Sequence, residues 1–449
     1  MAAREAQPAE SEPLSTEDLA ILRLESDTVA GHTLKVAILD PPPTGRRPDV
    51  DALRARIAAR IERAPRLRYR LEASSGRRAA WVDDPTFDLR EHVRAIPGLG
   101  TASDDDLRRV CARMMEERLD RARPLWTIDL LDPLEQGRLA LIWRLHHSMA
   151  DGAGAMRLAE EVLWDAPGVG KPDGGSGRHS ALVELREALA ARRPGRLPGT
   201  LRRELRRSRN PSPFDGIVGT RRAVSFASVR LGSLRRAAKA LVQGVTVNDA
   251  VLALVCGGLR SWAESRGDRL GSLRVRIPVC LHPRAESPAV CNRNSFFCVA
   301  LPLGEPDSVE RLRLITQETA LRKRAADALV VDTLVRDVAR MAPSLRHFLD
   351  RLTLHPHAFA LNVSNVVGPT YIPSVLGAPV RALYSIADVD RWHGLRVAVI
   401  SMGDELGFGL CADPAIVGDL EPLVDGMLAE SAALAARSRA TDAASARVP

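Results

Sequence analysis

Apolar residues along this chain alternate between two spacings, and each change of spacing marks an element. "STEDLAILRLE" carries a helical apolar face behind Ser15, a candidate N-cap followed by Glu17 and Asp18. "DVDALRARIAARIERAPRLRYRLE" keeps the helical period to about Pro65 and then reads as extended chain. "LWTIDLL" and "RLALIWRL" are short apolar runs on either side of a turn at "DPLEQG", which predicts two core strands. The second run ends in "HHSMADG", and helical spacing returns in "AMRLAEEVLWDA".

A break follows. "APGVGKPDGGSG" opens a linker at about 166–222, within which "SALVELREALA" sets Leu182, Leu185 and Leu189 on one helical face. From 223 onward the alternation resumes with a helix in "TVNDAVLALVCGGLRSWAES" and strands in "LRVRIPVCL" and "NSFFCVALPL". A charged helix starts at an Asp307/Ser308 cap, and further strands are expected in "FALNVSNVVGP", "VRALYSIADV" and "LRVAVISMGDELGFGL". The last of these reads as a hairpin turning at Gly403-Asp404, and a closing helix begins near Asp419 with Pro422 in its first turn. Helices mixed with strands on both sides of the linker predict an α/β protein of two domains, 1–165 and 223–449, enclosing a cleft. The length of 449 residues suffices for a core in each.

Composition adds a boundary to this picture. The formal net charge is +8, and residues 178–222 alone hold twelve arginines against four acids, an excess of the same size. The basicity therefore sits in the linker, where it serves as a solvated segment, a contact for anionic lipid or a contact for phosphates. No aromatic interleaving or recognition motif accompanies it, so nucleic acid is not expected as a partner. Six cysteines without a CxxC pair fit a reducing compartment better than a disulfide scaffold or a zinc site. "MAAREAQPAESEPLSTED" lacks the apolar core of a signal peptide, and "AVLALVCGGL" falls well short of the roughly 20 residues a membrane span needs. A cytoplasmic protein is the expectation, with contact to the inner face of the membrane as an extension of it. GxSxG, HExxH and GxGxxG are absent, and "GVGK" lacks the first glycine of a phosphate loop, so no metal and no tightly held cofactor is expected.

The chemistry is concentrated in "HHSMADG". A neutral imidazole is suited to removing a hydroxyl proton, because its ordinary pKa of about 6.5 lies near neutrality. In an extended segment adjacent side chains face opposite ways, so His146 and His147 divide into one base and one supporting neighbour. Asp151 follows after a short turn, and Gly152 permits the bend into the next helix. The bland alternative is a histidine pair closing a strand, with Asp-Gly as a plain turn. Against it, this chain's composition gives a chance His-His-x-x-x-Asp-Gly match on the order of 0.001 times.

The motif resembles that of the superfamily containing chloramphenicol acetyltransferase and peptide-synthetase condensation domains. "PLSTEDLAILRLES", "LDRARPLWTIDLL", "VNDAVLALVCGGLR", "LNVSNVVGP" and "GLRVAVISMGDELGFGLCAD" are similar, in order, to segments of bacterial wax ester synthase/diacylglycerol acyltransferases. The resemblance runs from about residue 14 to 430. It implies two chloramphenicol-acetyltransferase-like domains with mixed sheets flanked by helices and a tunnel between them. Acyl-CoA and a hydrophobic alcohol would be co-substrates, and triacylglycerol or wax ester the product.

Carried across by motif, His147 resembles the general base, with His146, Asp151 and Gly152 supporting it. Asp151 is expected to be braced by Arg68, or by Arg70 as the close alternative. Asn248 is expected to steady the substrate carbonyl or simply to cap its helix, and Asp249 to brace it. Ser364 and Asn365 are expected to line the tunnel or close a strand. Trp126, in the PLW segment, is expected either to line the tunnel or, more simply, to anchor a strand start. Two stretches depart from the family pattern: Val367 stands where relatives carry proline, and "TVAGHTLKVAIL" replaces a Met-His-Val-Gly type of sequence. The enzyme alternative is a superfamily acyltransferase of specialised metabolism using a carrier-bound donor. A lipid-binding homologue without catalysis is the alternative of a different class.

Overall fold

The computed structural model describes residues 11–43, 45–72, 79–97, 100–165, 212–280, 294–325 and 357–445. Their contacts gather them into two units, the first holding the residues up to 165 together with Val367–Asp388 and the second holding the rest.

The first unit is built on a six-stranded sheet. Its strands are β2 (His32–Leu39), β5 (Val93–Ala95), β6 (Trp126–Leu131), β7 (Leu139–His146), β12 (Ser374–Val375) and β13 (Ala378–Ala387), in the spatial order β12-β13-β2-β7-β6-β5. A small second sheet joins β1 (Ser11–Pro13), β4 (Ala80–Asp83) and β3 (Tyr69–Glu72). Every residue of β7 is buried, which is why it reads as a continuous apolar run and not as an alternation. The two cations inside these central strands are held by polar partners. Lys35 Nζ donates to Ser385 Oγ at 2.6 Å, and the Arg144 guanidinium donates to the carbonyls of Met114 and Glu117 at 3.3 and 3.4 Å.

The longer helices that accompany the sheet are α1 (Thr16–Leu24), α2 (Val50–Ala58), α3 (Asp104–Glu116) and α4 (Gly152–Val162). Ser15 caps α1 as its position suggests, accepting from Asp18 N–H at 3.0 Å while the Asp18 carboxylate accepts from Ser15 N–H. The chain after α2 tightens into two 3₁₀ turns, the second spanning Pro65–Arg68, before β3 begins.

The second unit has its own six-stranded sheet of β8 (Ala223–Arg230), β9 (Leu273–Cys280), β10 (Asn294–Leu301), β11 (Leu361–Val366), β14 (Leu395–Met402) and β15 (Glu405–Ala412). The order is β10-β9-β11-β14-β15-β8, with β11 parallel to both neighbours and the other pairs antiparallel. The hairpin β14–β15 turns at Gly403-Asp404 as the sequence predicts. Its longer helices among the described residues are α5 (Leu231–Leu241), α6 (Val247–Ser265), α7 (Ser308–Ala325) and α8 (Glu421–Ser445). Small residues let α6 and α8 touch at backbone distance: a Cβ on Gly258 would lie 2.5 Å from the Leu423 carbonyl oxygen. Beside that contact the Arg311 guanidinium pairs with the Glu430 carboxylate, both buried.

The units do not follow the linear division 1–165, 166–222 and 223–449. Residues 367–388 lie within the stretch assigned to the C-terminal domain, yet β13 pairs along its length with β2 of the first unit. Period-2 apolar spacing predicts a strand there without saying which sheet receives it. The helix expected around Leu182, Leu185 and Leu189 and most of the arginine-rich linker lie outside the described residues. Of the linker, 212–222 is described, and Phe214 there is buried against Trp262 with ring centroids 4.7 Å apart.

Candidate active site

The strand β7 ends at His146, so the two histidines are separated by a strand end and the turn after it, not by alternation within a strand. His146 has no exposed surface. Its Nε2 lies 2.7 Å from Glu25 Oε1, and its Nδ1 lies 2.6 Å from Ser148 Oγ and accepts from Ser148 N–H at 3.1 Å. Glu25, just past the end of α1, presents its second oxygen to Arg121. Burial opposes ionisation of Glu25, but His146 and Arg121 outweigh it and hold the carboxyl below its ordinary value. The first histidine is thus buried, hydrogen-bonded at Nδ1 and faced by a carboxylate at Nε2.

His147 differs in that it alone, from Leu139 to Asp151, is not fully buried. Its backbone N–H donates to the Gly31 carbonyl at 3.0 Å. Gly31 has φ of 69°, in the left-handed region, and a Cβ there would lie 2.8 Å from His146 Nε2 and 3.0 Å from Glu25 Cγ. Only glycine meets both conditions, which gives the departing stretch "TVAGHTLKVAIL" a physical role beside the histidines.

Asp151 is the N-cap of α4, accepting from Gly154 N–H at 2.7 Å, and Gly152 is the first residue of that helix. The expected brace is not at Arg68. Arg68 pairs with Glu62 and Asp83, at 3.1 and 3.2 Å, and Arg70 with Glu72 at 3.4 Å. The arginine that reaches the motif is Arg66, buried under the Trp81 ring, with Glu12 at 2.7 Å, Asp18 at 3.2 Å and the Ser148 carbonyl at 3.5 Å. In a 3₁₀ turn successive side chains are about 120° apart, so a shift of two positions moves a side chain to a different face. The brace acts on the loop backbone, and the Asp151 carboxylate is used by its own helix.

Trp126 is fully buried and so lines no accessible space. Its indole N–H donates to the Leu67 carbonyl at 2.6 Å and its ring stacks on His92 at 4.6 Å. The anchor reading of that segment is the one the geometry favours.

Asn248, Ser364 and Asn365 belong to the second unit. Thr246, not Asn248, caps α6, in a capping box with Asp249, whose carboxylate accepts from Thr246 N–H at 2.9 Å and from Thr319 Oγ1 at 2.7 Å. Asp249 therefore braces α6 against α7, while Asn248 in the first turn is half-buried. Ser364 and Asn365 are half-buried neighbours on β11, pointing to opposite faces of the sheet, so they do not share one surface. Sequence reasoning missed Glu25, Gly31, Arg66 and Ser148. Arg66 lies in the same "RAPRLRYRL" that suggested Arg68, and Glu25 closes the first helix; neither carries a local pattern that marks it.

Among the described residues no helix is long and apolar enough to cross a membrane. Comparison with known proteins places the whole. Residues 14–202 match the wax ester synthase/diacylglycerol acyltransferase catalytic domain, and 290–434 match the C-terminal domain of the same family. A putative diacylglycerol O-acyltransferase of Mycobacterium bovis is 28% identical over 419 residues, 88% of this chain and 90% of that protein. A second from Mycobacterium tuberculosis is 27% identical over 448 residues, 93% of this chain and 94% of the other. Among solved structures, the wax ester synthase/diacylglycerol acyltransferase of Marinobacter aquaeolei VT8 superposes with a TM-score of 0.69 at 23% identity, over 95% of this chain and 99% of that one. The starter condensation domain of rhizomide synthetase, in complex with C8-CoA and Leu-SNAC, gives 0.60 at 13% identity, over 96% and 94%. The fold is the mixed-sheet, two-domain type shared by these two groups. With the two domain models together spanning well over half its length, the chain belongs to the wax ester synthase/diacylglycerol acyltransferase family.

Proposed function

We propose that this chain transfers a fatty acyl group from acyl-CoA to the hydroxyl of a hydrophobic alcohol, diacylglycerol or a long-chain alcohol, with His147 as general base. The observation that carries the assignment is the unequal state of the two histidines. His146 is buried, hydrogen-bonded at Nδ1 and faced by Glu25 at Nε2, whereas His147 is the partly exposed residue of an otherwise buried run. The His147 imidazole takes the hydroxyl proton as the oxygen attacks the thioester carbonyl. The tetrahedral intermediate collapses by breaking its carbon–sulfur bond, and the departing CoA thiolate takes the proton back from the imidazolium. Ester and free CoA result, with no covalent enzyme intermediate.

General-base assistance of this kind contributes typically about 10²- to 10⁴-fold. In a purified-protein assay with labelled palmitoyl-CoA and hexadecanol or a diacylglycerol, His147→Ala is expected to lose activity by at least about 100-fold. The variant should keep its melting curve. Near-normal turnover in it would remove His147 from the reaction. Turnover that required a carrier-protein-bound acyl group in place of the CoA thioester would move the chain to the condensation-like reading.

A further inference from the structure

We infer that Glu25 is a positioning residue for His147, acting through the tautomer of His146; this rests on the reading of His147 as the base. A backbone amide can only donate. Ser148 N–H points at His146 Nδ1 from 3.1 Å, so that nitrogen carries a lone pair and no proton. The hydroxyl of Ser148, 2.6 Å away, then donates to the same nitrogen. The ring proton then belongs on Nε2, which faces the Glu25 carboxylate with Oε1 2.7 Å away. Arg121 on the other carboxylate oxygen keeps Glu25 an acceptor.

The consequence falls on His147. The peptide before it is pinned by His147 N–H donating to the Gly31 carbonyl at 3.0 Å. The peptide after it is pinned by Ser148 N–H donating to His146 Nδ1. Both peptide planes flanking the base are fixed, and the second holds only while Nδ1 stays unprotonated. Were the proton to move to Nδ1, the imidazole would face the Ser148 amide donor with a donor of its own, and the turn that carries His147 would loosen. Glu25 prevents this by offering an acceptor at the opposite nitrogen. Gly31 joins the same assembly, since a side chain there would strike His146 Nε2 and Glu25 Cγ.

The test compares Glu25→Ala and Glu25→Gln with the parent and with His147→Ala. Glu25→Ala is expected to lower kcat about 10-fold or more with KM for palmitoyl-CoA within about twofold, because the loss is of alignment and not of substrate contact. Glu25→Gln, whose amide oxygen still places an acceptor beside Nε2, is expected to recover most of that loss. Nitrogen NMR of histidine-labelled protein, with the His146 signals assigned by their loss in His146→Gln, should show the Nε2-protonated tautomer in the parent and in Glu25→Gln. In Glu25→Ala it should show a tautomer mixture. A Glu25→Ala enzyme with parental kcat, or an Nδ1-protonated His146 in the parent, overturns the inference. So does a kcat loss that merely follows the unfolded fraction in a melt. Should His147→Ala keep its turnover, the base assignment falls as well; should His147→Ala be inactive while Glu25→Ala is not, this inference falls alone.

Discussion

At the scale of single residues, the site depends on fits that leave little room. Gly31→Ala asks for a Cβ in a left-handed conformation and against the His146 ring, so it should cost about 1–3 kcal/mol and lower activity along with stability. Denaturant unfolding and the acyl-transfer assay check this together, and unchanged behaviour in both would mean the loop adapts. Asp151→Ala removes one N-cap, which costs about 1 kcal/mol and should leave a folded protein whose histidine loop is less well held. Asp151→Asn, still an N-cap, should restore most of the stability. The histidine motif, its loop aspartate and the following helix were legible in the sequence, because strand, turn and helix each have a local signature. Gly31, Glu25 and Arg66 were not, because what defines them is proximity between segments far apart in the chain.

At the scale of elements, most helices and strands follow from spacing and caps, with Ser15 and the Gly403-Asp404 hairpin as clear instances. Caps were harder where two candidates stood close together: Thr246 takes the role that Asn248 could have filled, since its hydroxyl and the Asp249 carboxylate close a reciprocal pair. The joint of α7 and α8 offers a sharper prediction. Glu430→Ala leaves the buried Arg311 without its carboxylate and should cost about 3–5 kcal/mol. Replacing both partners by apolar residues of similar size should return most of that loss in a denaturant melt. If the single and double replacements are equally costly, the pair contributes by shape and not by charge.

For the whole molecule, acid is the informative stress. The Asp165 carboxyl is opposed by burial but held below its ordinary value by the Gly377 amide, Ser374 and Arg56, and Glu25 is held low beside His146 and Arg121. The unfolded chain therefore binds more protons at these two sites as the pH falls. The stability they contribute is full above the ordinary carboxylate range and is lost as the pH drops through and below it. Melts between pH 7 and 3 should show a progressive fall that is shallower in Asp165→Asn; an equal fall would assign the acid sensitivity elsewhere. Asp165 also ties the end of the first stretch to the turn that leads into β13. That strand makes the first unit a composite of two distant parts of the gene product. A fragment ending at the linker would display β2 as a bare edge, open to pairing with any other extended chain. Such a fragment should aggregate when expressed alone and be rescued by co-expression of the remaining half. In evolutionary terms, the first half cannot be shuffled on its own, because the strand that completes its domain is encoded within the second.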